Sequence, residues 1–103
     1  MIIFSAIIEL PVKFTKTLEE ETSALKGQHL YLTCELNKER EVQWKRNGQP
    51  LKPIAGKTSI NVIGMQHAVT IQNSDENDAG VYTCEVENID TKTVVKVIGK
   101  NVN

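Results

Sequence analysis

Four side chains restrict this sequence more than any others. Cys34 and Cys84 are its only cysteines and Trp44 its only tryptophan; Tyr82 stands two residues before Cys84, behind Asp78-Ala79-Gly80. Each lies in a short run where apolar and polar residues alternate: HLYLTCEL, EVQWK and VYTCEV. In a strand, residues two apart share a face. Leu30, Leu32, Cys34 and Leu36 therefore point one way, Val42 and Trp44 form a second inward set, and Tyr82, Cys84 and Val86 a third. Tyr82 therefore points into the same interior as Cys84. A buried phenol needs a partner for its hydroxyl. The connector before Tyr82 offers backbone groups within reach, and Gly80 relieves the tightest point.

The same alternation recurs in AVTIQ, with Val69 and Ile71 inward, in TVVKV, with Val95 and Val97, and in KTSINVI, with Ile60 and Val62 as the expected inward pair. Turn-formers separate the runs. Lys26-Gly27 precedes the first, and Asn47-Gly48 favours a tight turn with positive φ. Pro50 and Pro53 keep their segment out of a sheet centre. The polar stretch Ser74 to Gly80 leaves room for one helical turn. About seven short strands at turn spacings near ten residues predict an all-β chain of two packed antiparallel sheets. At 103 residues, one core fits. The expected layout is a single domain over residues 11–99, a linker or extra strand over 1–10, and a tail over 100–103. The expected interior includes Leu32, Trp44, Val69, Ile71 and Tyr82, with Lys57 and Asp78 as a structural ion pair.

Cys34, Trp44 ten residues later, and the D-A-G-V-Y-T-C string ending at Cys84 resemble the immunoglobulin superfamily. The resemblance runs from about Pro11 to Ile98 and implies an immunoglobulin-like β-sandwich. The segment between Trp44 and Ile60 is too short for a variable-type domain. PVKFTK, followed by a run of acids and ALKG, is similar to the intermediate (I-set) type found in giant muscle proteins of the titin, obscurin and myosin-binding kind. The resemblance implies a tyrosine corner at Tyr82, Trp44 packed over the sulfurs, and Cys34 and Cys84 as a disulfide or a buried thiol pair. The last hairpin, expected at Asn88-Ile89-Asp90-Thr91, departs from many I-set domains in lacking glycine.

Catalytic signatures are missing from the sequence. No glycine-rich phosphate loop or G-x-S-x-G is present. His29 and His67 are expected in strands, on the face opposite the core, with no ligand spacing around them. Asp75 and Asp78 sit on a connector, where capping suits them better than acid–base work. A net charge of −1 supplies no basic surplus for nucleic acid or an anionic membrane. No apolar run reaches bilayer length. The apolar stretch Met1 to Ile8 lacks a positive flank and meets Glu9 at once, so no signal peptide is expected; an apolar strand pairing edge to edge with a neighbour through residues 1–8 is the sharper reading.

The expectation is therefore a non-catalytic module with no cofactor and no metal. Its partners are proteins, either neighbouring domains or sarcomeric proteins, and the domain itself is monomeric. The resemblance implies one domain of a tandem array in a sarcomeric, cytoplasmic scaffold, bearing force and docking partners. In such domains Thr17–Ala24 would pair with the last strand near Val94–Ile98, and a proline at Val95 would delete a donor of that pairing. The alternatives are an extracellular recognition domain of an adhesion molecule or receptor, and a kinase- or actin-associated domain with a basic patch at Lys45, Arg46 and Lys52. A disulfide would close a loop of about 50 residues, worth roughly 4 kcal/mol, whereas cytosolic thiols stay reduced. No N-x-S/T sequon occurs, which leans toward the cytosol.

Overall fold

The computed structural model describes residues 10–99. The linker and edge-pairing expectations for residues 1–10, Leu10 apart, and the tail at 100–103 lie outside them. Nine strands form two sheets: β1 (Phe14–Lys16), β2 (Glu21–Leu25), β3 (Leu30–Leu36), β4 (Gln43–Arg46), β5 (Gln49–Pro50), β6 (Thr58–Ile63), β7 (Gln66–Ile71), β8 (Gly80–Val86) and β9 (Ile89–Ile98). One sheet has the order β1-β3-β7-β6, the other β2-β9-β8-β4-β5. The count exceeds seven because the segment before Lys26-Gly27 divides between the sheets as β1 and β2, and because β5 adds a short edge after Asn47-Gly48.

β3 shows how the pattern builds the core. Leu30, Leu32, Cys34 and Leu36 are buried while Tyr31 and Glu35 face water. β7 supplies the facing layer in register, Leu30 opposite Ile71 and Leu32 opposite Val69. Ala24, Trp44, Tyr82, Cys84 and Val95 of the other sheet join them in one cluster. A second, smaller cluster of Val12, Leu36 and Val86 closes one end.

Some side-chain expectations need correction. Ile60 packs against the core, but Val62 is 58% exposed. β6 is an edge strand covered from one side only, and burial fades along it from Thr58 to Ile63. The final hairpin turns at Glu87 and Asn88, not at 88–91, since Val86 already pairs with Ile89. Glu87 takes φ 52 there, so the position that favours glycine is filled by glutamate.

All ladders are antiparallel except one. β2 runs parallel to β9, Glu21 beside Val94 through Leu25 beside Ile98. This pairing places the chain's entry and exit. Phe14 of β1 lies opposite Leu36, at the far end of β3 from Leu30, and the exit at Ile98 lies beside Leu25, which leads into β3. The chain thus enters at one end of the sandwich and leaves at the other. The parallel pair is tied at both margins, by Val94 N–H to the Glu20 carbonyl at 3.1 Å and Lys26 N–H to the Ile98 carbonyl at 2.8 Å. Beside the first of these the Thr22 and Thr93 hydroxyls meet at 2.8 Å. Successive N–H groups of a strand point to opposite sides. Because Val94 donates toward β2, Val95 donates toward β8. A proline at Val95 would therefore not remove a donor from the β2–β9 ladder; a proline at Val94 would.

Candidate functional site

Two clusters hold the sequence-selected residues. The first is the pin of the sandwich. Cys34 and Cys84 are completely buried, and Trp44 is nearly so. Trp44 stands opposite Cys84 across the β4–β8 ladder, so its indole lies on the same inner face as the sulfurs. Both cysteines are unbridged in this structure and share one core cluster. The neighbouring Cys34 thiol and burial push the Cys84 thiol well above its ordinary range. With both side chains at 0% exposure, the pair is out of reach of solvent reagents and packs as small buried apolar filling.

The histidines differ from expectation. His67 is on β7 in the same phase as Val69 and Ile71, so it faces the core opposite Cys34 and is 1% exposed. The alternation of Q-H-A-V-T-I carried that signal. Neither ring nitrogen has a hydrogen-bond partner among the described residues. Burial pushes its pKa below the usual imidazole range. His29 precedes β3, is exposed, and its Nδ1 accepts the Asn73 N–H at 3.3 Å.

The sign of the His67 effect follows from linkage. The unfolded imidazole binds a proton more readily than the folded one, so stability rises with pH wherever that difference operates. The penalty sets in as pH falls below about 6.5, the free imidazole value, and levels off below the folded pKa. Unfolding midpoints measured from neutral to mildly acid pH are expected to fall, and His67→Leu is expected to remove that component of the slope.

The second cluster is the corner before β8. Asp78 is its hub. Its carboxylate accepts from Lys57 Nζ at 2.7 Å and from the Asp75 N–H at 2.9 Å, and its carbonyl accepts the Tyr82 hydroxyl at 2.7 Å. Asp75 caps the short 3-10 turn Glu76–Asp78 through the Asn77 N–H at 2.8 Å. Lys57 also donates to the Asn73 carbonyl at 2.9 Å, which ties the start of β6 to the connector. Burial pushes the Tyr82 phenol up to about 12, so it stays a donor across the physiological range. Tyr82→Phe removes that donor and leaves the Asp78 carbonyl short of a partner. The expected cost is about 1–2 kcal/mol, measured as a lower denaturant midpoint at unchanged slope.

Among the described residues, no group of three or more His, Cys, Asp or Glu side chains could hold a metal. The surface depressions are lined by the Glu85–Asp90 hairpin and by the connector between β3 and β4. Two of the three cations considered as a basic patch are engaged. Lys45 pairs with Glu85 at 3.0 Å, and Arg46 donates to the Ala79 carbonyl at 3.0 Å and to the Asn77 carbonyl. Arg46 therefore braces the corner from β4, a role that no spacing in the sequence indicates.

The immunoglobulin I-set domain profile matches residues 12–98. A titin homolog of Caenorhabditis elegans is 31% identical over 97 residues, covering 91% of this chain and, to the nearest per cent, 0% of that protein. Cardiac-type myosin-binding protein C of Homo sapiens is 34% identical over 86 residues, covering 81% of this chain and 7% of that protein. The chain thus spans a small fraction of the curated relatives it matches. A solved complex of titin M10 with an obscurin-like 1 immunoglobulin domain contains a chain that superposes with TM-score 0.79 at 23% identity, covering 89% of this chain and 98% of that one. At that identity the likeness speaks for the fold.

Proposed function

The chain belongs to the immunoglobulin I-set family, and on that footing we propose that it is one domain of a tandem array in a sarcomeric, cytoplasmic scaffold, where it bears axial load and presents surfaces to protein partners. It is not an enzyme: the I-set family is one of structural and interaction domains. The single observation that carries the mechanical reading is the parallel β2–β9 pairing between opposite ends of the sandwich. Tension applied at the two ends pulls β2 and β9 past one another along their length. Their hydrogen bonds then share the load and break together rather than in sequence. For a domain under tension the relevant quantity is the unfolding rate. The relatives carrying similar domains are muscle proteins by name, titin and myosin-binding protein C, which favours the sarcomere. The solved complex between titin and an obscurin-like immunoglobulin domain supports protein docking as a second duty.

The test is single-molecule extension of a tandem containing Val94→Pro. This change removes the Val94 donor to Glu20 at a side chain that is 41% exposed, so packing loss is small. Net loss of a ladder bond is about 0.5–1.5 kcal/mol. Falling on the unfolding barrier, it raises the unfolding rate up to roughly tenfold and lowers the unfolding force. An unchanged force would remove β2–β9 from the load path.

One observation favours a second reading. Cys34 and Cys84 are both fully buried in one core cluster, and an oxidised pair would suit an extracellular recognition domain. Free-thiol titration of protein taken from its native tissue separates the readings: two titratable thiols after denaturation fit the scaffold, none fits the extracellular module.

A further inference from the structure

Asn47-Gly48 is the only Asn-Gly pair in the sequence, and the fold holds it in an unusual way. Asn47 sits at φ 49. Its N–H donates to the Val81 carbonyl at 2.8 Å, and its Oδ1 accepts the Val81 N–H at 2.9 Å. One residue thus grips both polar groups of a β8 residue. Its carboxamide also occupies the space beside Gly80 where a Cβ would stand, with Oδ1 at 2.7 Å and Nδ2 at 2.8 Å from that position.

We propose that Asn47 is a deamidation site that the native fold keeps closed and that unfolding opens, and that its isoaspartyl product cannot return to the native fold. The chemistry is internal to the dipeptide. The Gly48 amide nitrogen loses its proton and attacks Asn47 Cγ; glycine places no side chain in the way. A nitrogen–Cγ bond forms, the Cγ–Nδ2 bond breaks, and ammonia leaves. Water then opens the cyclic imide at either carbonyl, giving aspartate or β-linked isoaspartate. In the fold, Cγ cannot swing onto the Gly48 nitrogen without releasing Val81 and leaving its seat against Gly80. Reaction therefore draws on the open fraction of molecules.

The two products differ in consequence. Aspartate keeps an oxygen where Oδ1 accepts the Val81 N–H. Isoaspartate routes the main chain through the side-chain carbon and lengthens it by one methylene, so the N–H and the oxygen can no longer both reach Val81. β4 enters the corner through Arg46, the register partner of Tyr82, and that closure is lost. Opening of Asn47 needs no load on the domain, since any route to unfolding suffices.

The test incubates wild-type protein at neutral pH, native in one sample and urea-unfolded in the other. Peptide mapping follows Asn47, with Asn73-Ser74 as internal comparator, and isoaspartyl methyltransferase labels the β-linked product. Conversion at Asn47 is expected to be at least about tenfold faster when unfolded. After dilution from urea, isoaspartate is expected in the fraction that fails to refold and aspartate in the native fraction. Asn47→Asp is expected to refold with a near wild-type midpoint. Equal rates in both samples would overturn the gating, and so would an unreactive Asn47 in urea. Isoaspartyl chains that refold normally, or an Asn47→Asp variant that does not refold, would overturn the assignment of the block to the β-linkage.

Discussion

Trp44→Ala is expected to cost about 3–5 kcal/mol, a large part of the roughly 5–15 kcal/mol that holds a domain of this size together. The indole is 3% exposed, stands opposite Cys84 and belongs to the cluster that joins the two sheets. Cys34 and Cys84 are small, and Leu32, Val69 and Ile71 are already packed in the same cluster. The loss therefore combines the transfer term with an uncollapsed cavity. Guanidinium unfolding followed by circular dichroism measures it, since the only tryptophan is gone from the variant. Trp44→Phe is expected to recover a good part of the loss, because it keeps an aromatic ring on the inner face. A Trp44→Ala midpoint close to wild type would mean that the sheets hold together without the pin.

Gly80→Ala is expected to cost about 2–3 kcal/mol. Gly80 takes φ 147, where L side chains are strained, and an added Cβ would sit 2.7 Å from Asn47 Oδ1. Asn47 can yield only by giving up the Val81 N–H. Strain and a lost hydrogen bond then act together at the corner that orients Tyr82. Gly48 provides the contrast. It has φ 81 but nothing within 4 Å of an added Cβ, so Gly48→Ala carries backbone strain alone, about 1 kcal/mol. A double-mutant cycle of Gly80→Ala with Asn47→Ala separates the steric part, because truncating Asn47 removes the obstructing amide. A coupling near zero would show that the two residues do not constrain each other.

The sandwich was legible because strand alternation and the placement of thiols, indole and phenol answer to the same physical requirement, a shared dry interior. LYLTCEL alternates in sequence, and its burial alternates with it. Other features escaped because they depend on partners far along the chain. Val62 alternates correctly yet lies on an edge strand, and edge position is a property of the assembled sheet. His67 shares the phase of Val69 and Ile71, but the polarity of imidazole argues for the surface until its neighbours are known. The direction in which Val95 donates depends on which ladder Val94 joins, and one residue of shift inverts it. In the corner, the Lys57–Asp78 pair follows the expectation, but Arg46 reaches the Ala79 carbonyl across 33 residues. No local spacing specifies a contact of that kind. Glu87 at positive φ is a further case: the hairpin closes with a residue that turn statistics disfavour.

Mechanical resistance from the parallel pair is tested most directly by changing the direction of pull on the wild-type domain. Pulled through its two ends, β2 and β9 slide in shear. Pulled through handles on Lys26 and Gly99, both exposed and next to the Lys26–Ile98 hydrogen bond, the same strands peel apart one bond at a time. A clearly higher unfolding force is expected for the end-to-end pull. Equal forces in the two directions would contradict that role, because resistance would then not come from the β2–β9 ladder.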